Sequence, residues 1–206
     1  SDIAVTAAGG LVGEVVQVWR PRELNTHETE WGFSCMSYEI SGALGIKMAN
    51  PNKEVISFVG DGSYLLNNTD IYSSVITKNK LIIIVCDNGG FAVINRLQLF
   101  KGGNEYNNLL KSSYTPGLVD VDFAKHAESM GAKSEHVNSI SDLEEAFKRA
   151  KKSDVTYVIS IKTHAYQWLE GSAFWDSPTL EIPTTDENKE ALKLYKEGKS
   201  KQRQGV

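Results

Sequence analysis

The sequence predicts an α/β fold, doubly wound, with a mainly parallel sheet and helices on both faces, and three observations predict it. Apolar runs of strand length alternate with segments of helical period along the 206 residues. Two of those runs, VISFV and LIIIV, are apolar at every position rather than at alternate ones, the pattern of strands buried on both faces. Each of the two runs also ends in a glycine-rich turn, Gly60-Asp61-Gly62-Ser63 after the first and Asp87-Asn88-Gly89-Gly90 after the second. In an open parallel sheet, ligand-holding turns gather at the carboxyl ends of strands.

Taken in order, a strand at 3–8 (IAVTAA) leads into the turn Gly9-Gly10-Leu11. Met36, Ile40, Leu44 and Met48 then recur at i+4, while Gly42, Ala43 and Gly45 leave a small face for packing on a sheet, so this segment is a helix. Strands follow at 54–60 and 81–87 with a helix at 65–77 between them. Helices at 121–130 and 142–151 precede the last strand at 156–162, the second helix opened by a capping box of Ser141 and Glu144. The stretch 95–116 reads as a long loop or broken helix, either a substrate wall or a surface insertion. From 166 the pattern gives way to aromatic residues (Trp168, Phe174, Trp175) and a short amphipathic helix around Leu192 and Tyr195. The expected division is therefore a domain at 1–165 and an extension at 166–206. The first residues carry neither a Met nor a basic leader and enter a strand almost at once, as in a domain of a longer chain.

Composition narrows the function classes. The chain is 41% hydrophobic and 23% charged, ordinary for a globular protein. No apolar stretch approaches the ~20 residues of a membrane span. The formal net charge of −4, with basic residues scattered until KEGKSKQRQ near the end, leaves no broad positive face for nucleic acid. Cys35 and Cys86 have no metal-ligand spacing and read as reduced thiols, which predicts a cytoplasmic protein.

The two turns carry the chemistry. Alone, Gly-Asp-Gly is an ordinary turn and helix cap. Repeated at strand–helix–strand spacing, with Asp61 and Asn88 27 residues apart, the turns face one crevice. Glycines let a backbone approach phosphate closely, and one carboxylate with one amide oxygen makes a partial site for a hard cation. Magnesium bridging a diphosphate suits that donor set, because Mg²⁺ takes one or two carboxylates and completes its shell with water and phosphate oxygens. On its pattern alone Met36 is a core residue. Of the histidines, His126 reads as an exposed helix residue and His164 as one near the crevice. Glu30 and Glu39 read as caps or solvated charges.

Gly-Asp-Gly, about two dozen residues and then Asn resembles the signature of thiamin-diphosphate-dependent enzymes, in their C-terminal diphosphate-binding domain. GFSCMSYE, GDGSYL, DNGGFAVINRLQ, LVDVDFAKHAESMGAKS and THAYQWLEG look most like the branch that hydrolyses trihydroxycyclohexane-1,2-diones in inositol catabolism, related to the acetolactate synthases. The resemblance implies the cofactors thiamin diphosphate and Mg²⁺. It implies that Asp61 and Asn88 ligate the metal by their side chains and Gly90 by its carbonyl. Gly60, Gly62, Ser63 and Phe91 would meet the diphosphate, the latter three through backbone N–H groups aided by the dipole of the following helix. Gly10 and Leu11 would hold its other end. Met36 would prop the cofactor in its bent shape, and Ser34 would offer its carbonyl to the aminopyrimidine amine. No catalytic residue is expected in this chain, because the family's cofactor-activating Glu belongs to a separate pyrimidine-binding domain, usually of a neighbouring subunit in a homo-oligomer. The implied reaction is cleavage of a C–C bond in a small cyclic dione. A decarboxylase or carboligase of 2-oxo acids would use the same residues, and a non-catalytic diphosphate-binding or assembly module is the reading from another class.

Overall fold

The computed structural model describes residues 1–114, 117, 120–170 and 179–203. Six strands, β1 (Ile3–Thr6), β2 (His27–Thr29), β3 (Val55–Gly60), β4 (Ile82–Asp87), β5 (Lys133–Val137) and β6 (Tyr157–Lys162), form one sheet in the order β2-β1-β3-β4-β6-β5. Every neighbouring pair is parallel. Among the described residues the helices are α1 (Gly10–Val18), α2 (Tyr38–Ala49), α3 (Asp61–Leu66), α4 (Thr69–Ile76), α5 (Ala92–Phe100), α6 (Phe123–Ser129), α7 (Ile140–Lys152) and α8 (Asp186–Ser200).

Residue alternation along the central strands divides the core in two. Val55, Val59, Ile83 and Val85 point to one face, where they pack with Ile40 and Ala43 of α2, Ile71 of α4 and Phe123 and Ala127 of α6. Ile56, Ile82, Ile84 and Ile159 point to the other, against Ala146 and Ala150 of α7, with Trp19 and Phe58 at the edge. Both faces of β4 are thus covered, which is why LIIIV is continuously apolar. Each fully buried Ile contributes about 2 kcal/mol of hydrophobic stabilisation. The chain leaves β1 toward β2 and returns past β1 to β3, so the direction of winding reverses between β1 and β3. Such a reversal opens a crevice at the carboxyl ends of the two strands.

Several elements differ from the sequence expectation. The helix expected over 65–77 is two helices, α3 and α4, broken at Asn67 and Asn68. There the side chains compete with the helical ladder: Asn68 Nδ2 donates to the Tyr64 carbonyl at 3.1 Å, and Thr69 Oγ1 donates to Asn67 Oδ1 at 2.9 Å. The cap of α7 is Ser139, whose Oγ accepts the Asp142 N–H at 3.1 Å, so the serine–acid pair works two residues before the expected Ser141. Met48 is 61% exposed although it continues the i+4 series, because steps of four residues drift around a helix of 3.6 per turn. His126 is not simply exposed. Its Nδ1 lies 2.9 Å from the hydroxyl of the fully buried Tyr64, with the rings edge to face.

Residues 95–100 belong to α5 rather than to a loop. The segment after them is pinned by a Gly90–Leu109 bridge and a 3₁₀ turn at Leu110–Ser112. The extension is also anchored: Asn188 Nδ2, at the start of α8, donates to the Gly102 carbonyl at 2.8 Å. Phe174, Trp175 and Pro116 lie outside the described residues. No described helix is long and apolar enough to cross a membrane.

Candidate functional site

At the β1/β3 reversal a cavity of about 520 Å³ opens, and the carboxyl-end turns of β1, β3 and β4 form its floor. From the β1 side come Gly9, Gly10 and Leu11, and from the loop before α2 come Ser34 and Met36. The β3 turn contributes Gly60, Asp61, Gly62 and Ser63, and the β4 turn Asn88, Gly90 and Phe91. All eleven residues singled out in the sequence therefore surround one space. His164, after β6, lines it too, together with Arg96, Gln167 and Trp168.

The backbone explains why these residue types stand here. Gly62 sits beneath an aromatic lid: a Cβ there would lie 2.6 Å from Phe91 Cε1 and 3.5 Å from the Met36 methyl. Gly90 has φ 137° and faces the Asn108 carbonyl so closely that a Cβ would stand 2.5 Å from it. Ser34 and Ser37, on either side of Met36, take φ values of 52° and 77°, unusual for residues with a Cβ. Glu30 holds this loop from outside, accepting the N–H groups of Phe33 at 2.8 Å and Cys35 at 2.6 Å, so it braces a loop instead of serving as the helix cap or solvated charge expected.

Two expectations need correction. The Phe91 N–H is already donated to the Asn108 carbonyl at 2.7 Å, so what Phe91 presents to the cavity is its ring. Helix α3 is only six residues long, so its contribution is the unpaired N–H groups of a first turn and not a macrodipole of any size.

The electrostatics centre on Asp61, which is 4% exposed. Burial, and secondarily the Asp87 carboxylate, push its pKa up from 3.8 to about 6, against backbone hydrogen bonding at Gly90, Gly62 and Asn88. Asp87 is itself 5% exposed and positions the second turn, its Oδ1 accepting the Gly89 N–H at 3.0 Å while Oδ2 pairs with Lys162 Nζ at 2.6 Å. Cys86 also lines the cavity, but burial pushes its thiol up to about 12, which leaves it protonated and inert.

Asp61 Oδ1 and Asn88 Oδ1 are both buried and both lack a hydrogen-bond partner. Leaving a buried acceptor unpaired costs about 1–3 kcal/mol. Two such oxygens on adjoining turns, one anionic and one neutral, suit a hard cation that also binds external oxygens. The described residues contain no group of three or more His, Cys, Asp or Glu that could hold a metal instead. The residues present therefore fit a magnesium–diphosphate ligand.

The raised pKa has a measurable consequence. An acid whose folded pKa lies above its unfolded value favours the folded state fully below pH 3.8, and that advantage is lost as pH rises through about 6. In metal-free protein Asp61 should therefore lower stability by on the order of 3 kcal/mol across that window. Urea unfolding from pH 4 to 7 should show a steeper decline for the native sequence than for Asp61→Asn; parallel curves would exclude the effect.

Residues 7–161 match the family described as "Thiamine pyrophosphate enzyme, C-terminal TPP binding domain", and the chain belongs to that family as a thiamin-diphosphate-binding domain. Among its relatives is the 3D-(3,5/4)-trihydroxycyclohexane-1,2-dione hydrolase of Bacillus licheniformis, 35% identical over 196 residues that cover 95% of this chain and 30% of that protein. The enzyme of the same name from Bacillus subtilis is 36% identical over 174 residues, covering 84% and 27%. Another from Bacillus cereus is 39% identical over 179 residues, covering 84% and 28%. This chain thus spans about three-tenths of the length of the curated relatives it matches. The fold is shared with a benzoylformate decarboxylase from Polynucleobacter necessarius (TM-score 0.72, 20% identity, 82% of this chain and 31% of that one). It is shared equally with a 4-hydroxybenzoylformate decarboxylase from Rhodococcus jostii (TM-score 0.70, 21% identity, 80% and 30%).

Glu39, read from the sequence as a cap or solvated charge, is instead 1% exposed and caps no helix, and Asp87, Arg96, Gln167 and Trp168 are not singled out by the sequence as site residues. Asp87 carried a signal, since an Asp two residues before a Gly is the pattern of an Asx turn. Arg96 lies 4.1 Å over the Trp168 ring, a contact between α5 and the extension that local pattern cannot reveal.

Proposed function

We propose that this domain holds the metal–diphosphate end of thiamin diphosphate in an enzyme that hydrolyses a C–C bond of a trihydroxycyclohexane-1,2-dione. The observation that carries the cofactor assignment is the pair of buried, unpartnered oxygens, Asp61 Oδ1 and Asn88 Oδ1, on adjoining turns of one cavity. Asp61, Asn88 and the Gly90 carbonyl hold Mg²⁺. The backbones of Gly60, Gly62 and Ser63 lie along the diphosphate, with Gly10 and Leu11 at its far end. Met36 and the Phe91 ring bear on the cofactor body, and the Ser34 carbonyl takes the aminopyrimidine amine.

The bound cofactor supplies an electron sink for breaking a C–C bond next to a carbonyl. This chain binds, orients and excludes water, and it contributes no acid or base of its own to cofactor activation. That task falls to a Glu on a pyrimidine-binding domain, supplied by a neighbouring subunit of a cytoplasmic homo-oligomer. Residues 1–165 form the cofactor domain, and the extension from 166 helps to wall the substrate space. Arg96, His164, Gln167 and Trp168 form that wall, beside a second cavity of about 360 Å³ lined by Asn95, Leu99 and Tyr166 as well as by Arg96 and Trp168. A decarboxylase or carboligase would use the same metal and diphosphate residues, and the dione is favoured because the curated relatives are hydrolases of that compound.

The test is an assay of the protein at its natural length, with Mg²⁺ and thiamin diphosphate, for hydrolysis of the trihydroxycyclohexane-dione against decarboxylation or condensation of pyruvate. Hydrolysis of the dione is expected. Turnover of pyruvate alone would overturn the substrate assignment and leave the cofactor site in place.

A further inference from the structure

Glu39 is the second residue of α2 and is only 1% exposed, yet no cation pairs with it among the described residues. Its partners are neutral donors. Oε2 accepts the Ser63 hydroxyl at 2.8 Å, and Oε1 accepts the Ala8 N–H at 3.4 Å. Ser63 Oγ in turn accepts the Ser37 N–H at 2.6 Å. The Glu39 carbonyl is itself fixed to the sheet, accepting from the buried Ser57 hydroxyl of β3 at 2.9 Å.

One carboxylate, together with the Ser63 hydroxyl, therefore joins three segments of the site. Ala8 immediately precedes the Gly9-Gly10-Leu11 turn. Ser37 adjoins Met36 and has left-handed backbone, a conformation that costs about 1–2 kcal/mol and persists only where its surroundings hold it. Ser63 belongs to the Gly-Asp-Gly-Ser turn. Burial pushes the Glu39 carboxyl above the usual carboxylate range, so the arrangement is costly. If stability were all that was needed, an apolar side chain of similar volume would serve as well or better.

We infer that Glu39 is a positioning residue, which with the Ser63 hydroxyl locks the β1 turn, the Met36 loop and the β3 turn into the single geometry that receives thiamin diphosphate. The inference rests on the cofactor site proposed above and adds a residue that never touches the cofactor.

The experiment compares Glu39→Leu, Glu39→Gln and Ser63→Ala in the protein at its natural length, with Asp61→Ala as reference. Affinity for thiamin diphosphate in saturating Mg²⁺ is read by quenching of tryptophan fluorescence, and stability of the cofactor-free protein by urea unfolding. Glu39→Leu should leave the urea midpoint unchanged or raised while weakening cofactor affinity about 10- to 100-fold, the usual effect of losing a group that orients ligands. Glu39→Gln, which still accepts from Ser63, should recover most of that loss. Ser63→Ala added to Glu39→Leu should weaken binding by less than a further factor of about three, because the two act as one unit. Native affinity in Glu39→Leu, or additive losses in the double variant, overturns the inference. If Glu39→Leu fails to fold, Glu39→Gln and Ser63→Ala decide alone: equal and undiminished affinity in both overturns it. Should Asp61→Ala bind as the native protein does, the cofactor site itself falls; loss in Asp61→Ala with none in the Glu39 variants removes only the role of Glu39.

Discussion

Asp61→Ala should abolish magnesium-dependent binding of thiamin diphosphate while making the cofactor-free domain no less stable. The two effects have opposite signs because the carboxylate has opposite roles with and without a ligand. Without one, it is 4% exposed, faces the Asp87 carboxylate and leaves Oδ1 unpaired, all of which oppose folding at neutral pH. With a cation in place, the same burial strengthens the attraction, because little water screens it. Loss of a group that merely orients ligands costs about 10- to 100-fold in affinity, so loss of a direct anionic ligand should exceed about 100-fold. Calorimetric titration of thiamin diphosphate at fixed Mg²⁺ measures the first effect and urea unfolding the second. A titration with ADP keeps the result specific. Equal affinity for ADP, or unchanged affinity for thiamin diphosphate in Asp61→Ala, would sink the cofactor assignment and favour a general diphosphate-binding module.

How much of the fold can be read from the sequence depends on where a strand lies in the sheet. The inner strands β1, β3, β4 and β6 announce themselves because both of their faces meet helices, and IIIV and YVIS cannot be anything else in that setting. Strands β2 and β5 do not. They are the two edges, and their sequences HET and KSEHV carry charged residues that one exposed side permits and that guard against edge pairing. Glu135 of β5 even pairs with Arg149 of α7 at 2.6 Å, a surface contact with no trace in local periodicity.

The site divides along a similar line. Asp61, Asn88 and their glycines are legible because the backbone must pass close to a ligand there, and few residue types permit that. Glu39 is not legible, since a glutamate near a helix start is usually solvated. Only the fold reveals that Ala8 and Ser63 donate to it from 31 and 24 residues away in the chain, and that Ser37 is tied in through the Ser63 hydroxyl. The extension escapes for the same reason: Trp168 and Asn188 find their partners, Arg96 and Gly102, across 72 and 86 residues.

Gly90→Ala should be the most damaging single methyl group in the site, and Gly89→Ala, one residue away, should be mild. Both glycines have positive φ, 137° and 79°, so both variants carry backbone strain. At Gly89 a Cβ meets nothing within 4 Å, and the left-handed conformation alone costs about 1 kcal/mol. At Gly90 the new methyl lies 2.5 Å from the Asn108 carbonyl oxygen and 3.1 Å from Leu109 Cα. Both are backbone atoms, and they cannot turn aside as a side chain would. Moving them would break the Phe91-to-Asn108 hydrogen bond and the Leu110-to-Gly89 bond, which together tie the loop after α5 to the β4 turn. Strain and overpacking combined come to roughly 3 kcal/mol or more. In a domain of this size that should lower the melting temperature by about 6–12 °C, against about 2–4 °C for Gly89→Ala. Because the displaced peptide carries the carbonyl assigned to Mg²⁺, Gly90→Ala should also raise the Mg²⁺ concentration needed for half-maximal cofactor binding, whereas Gly89→Ala should shift it little. Equal melting temperatures for the two variants would show that the Asn108 carbonyl yields, and that the β4 turn is not held as rigidly as these contacts require.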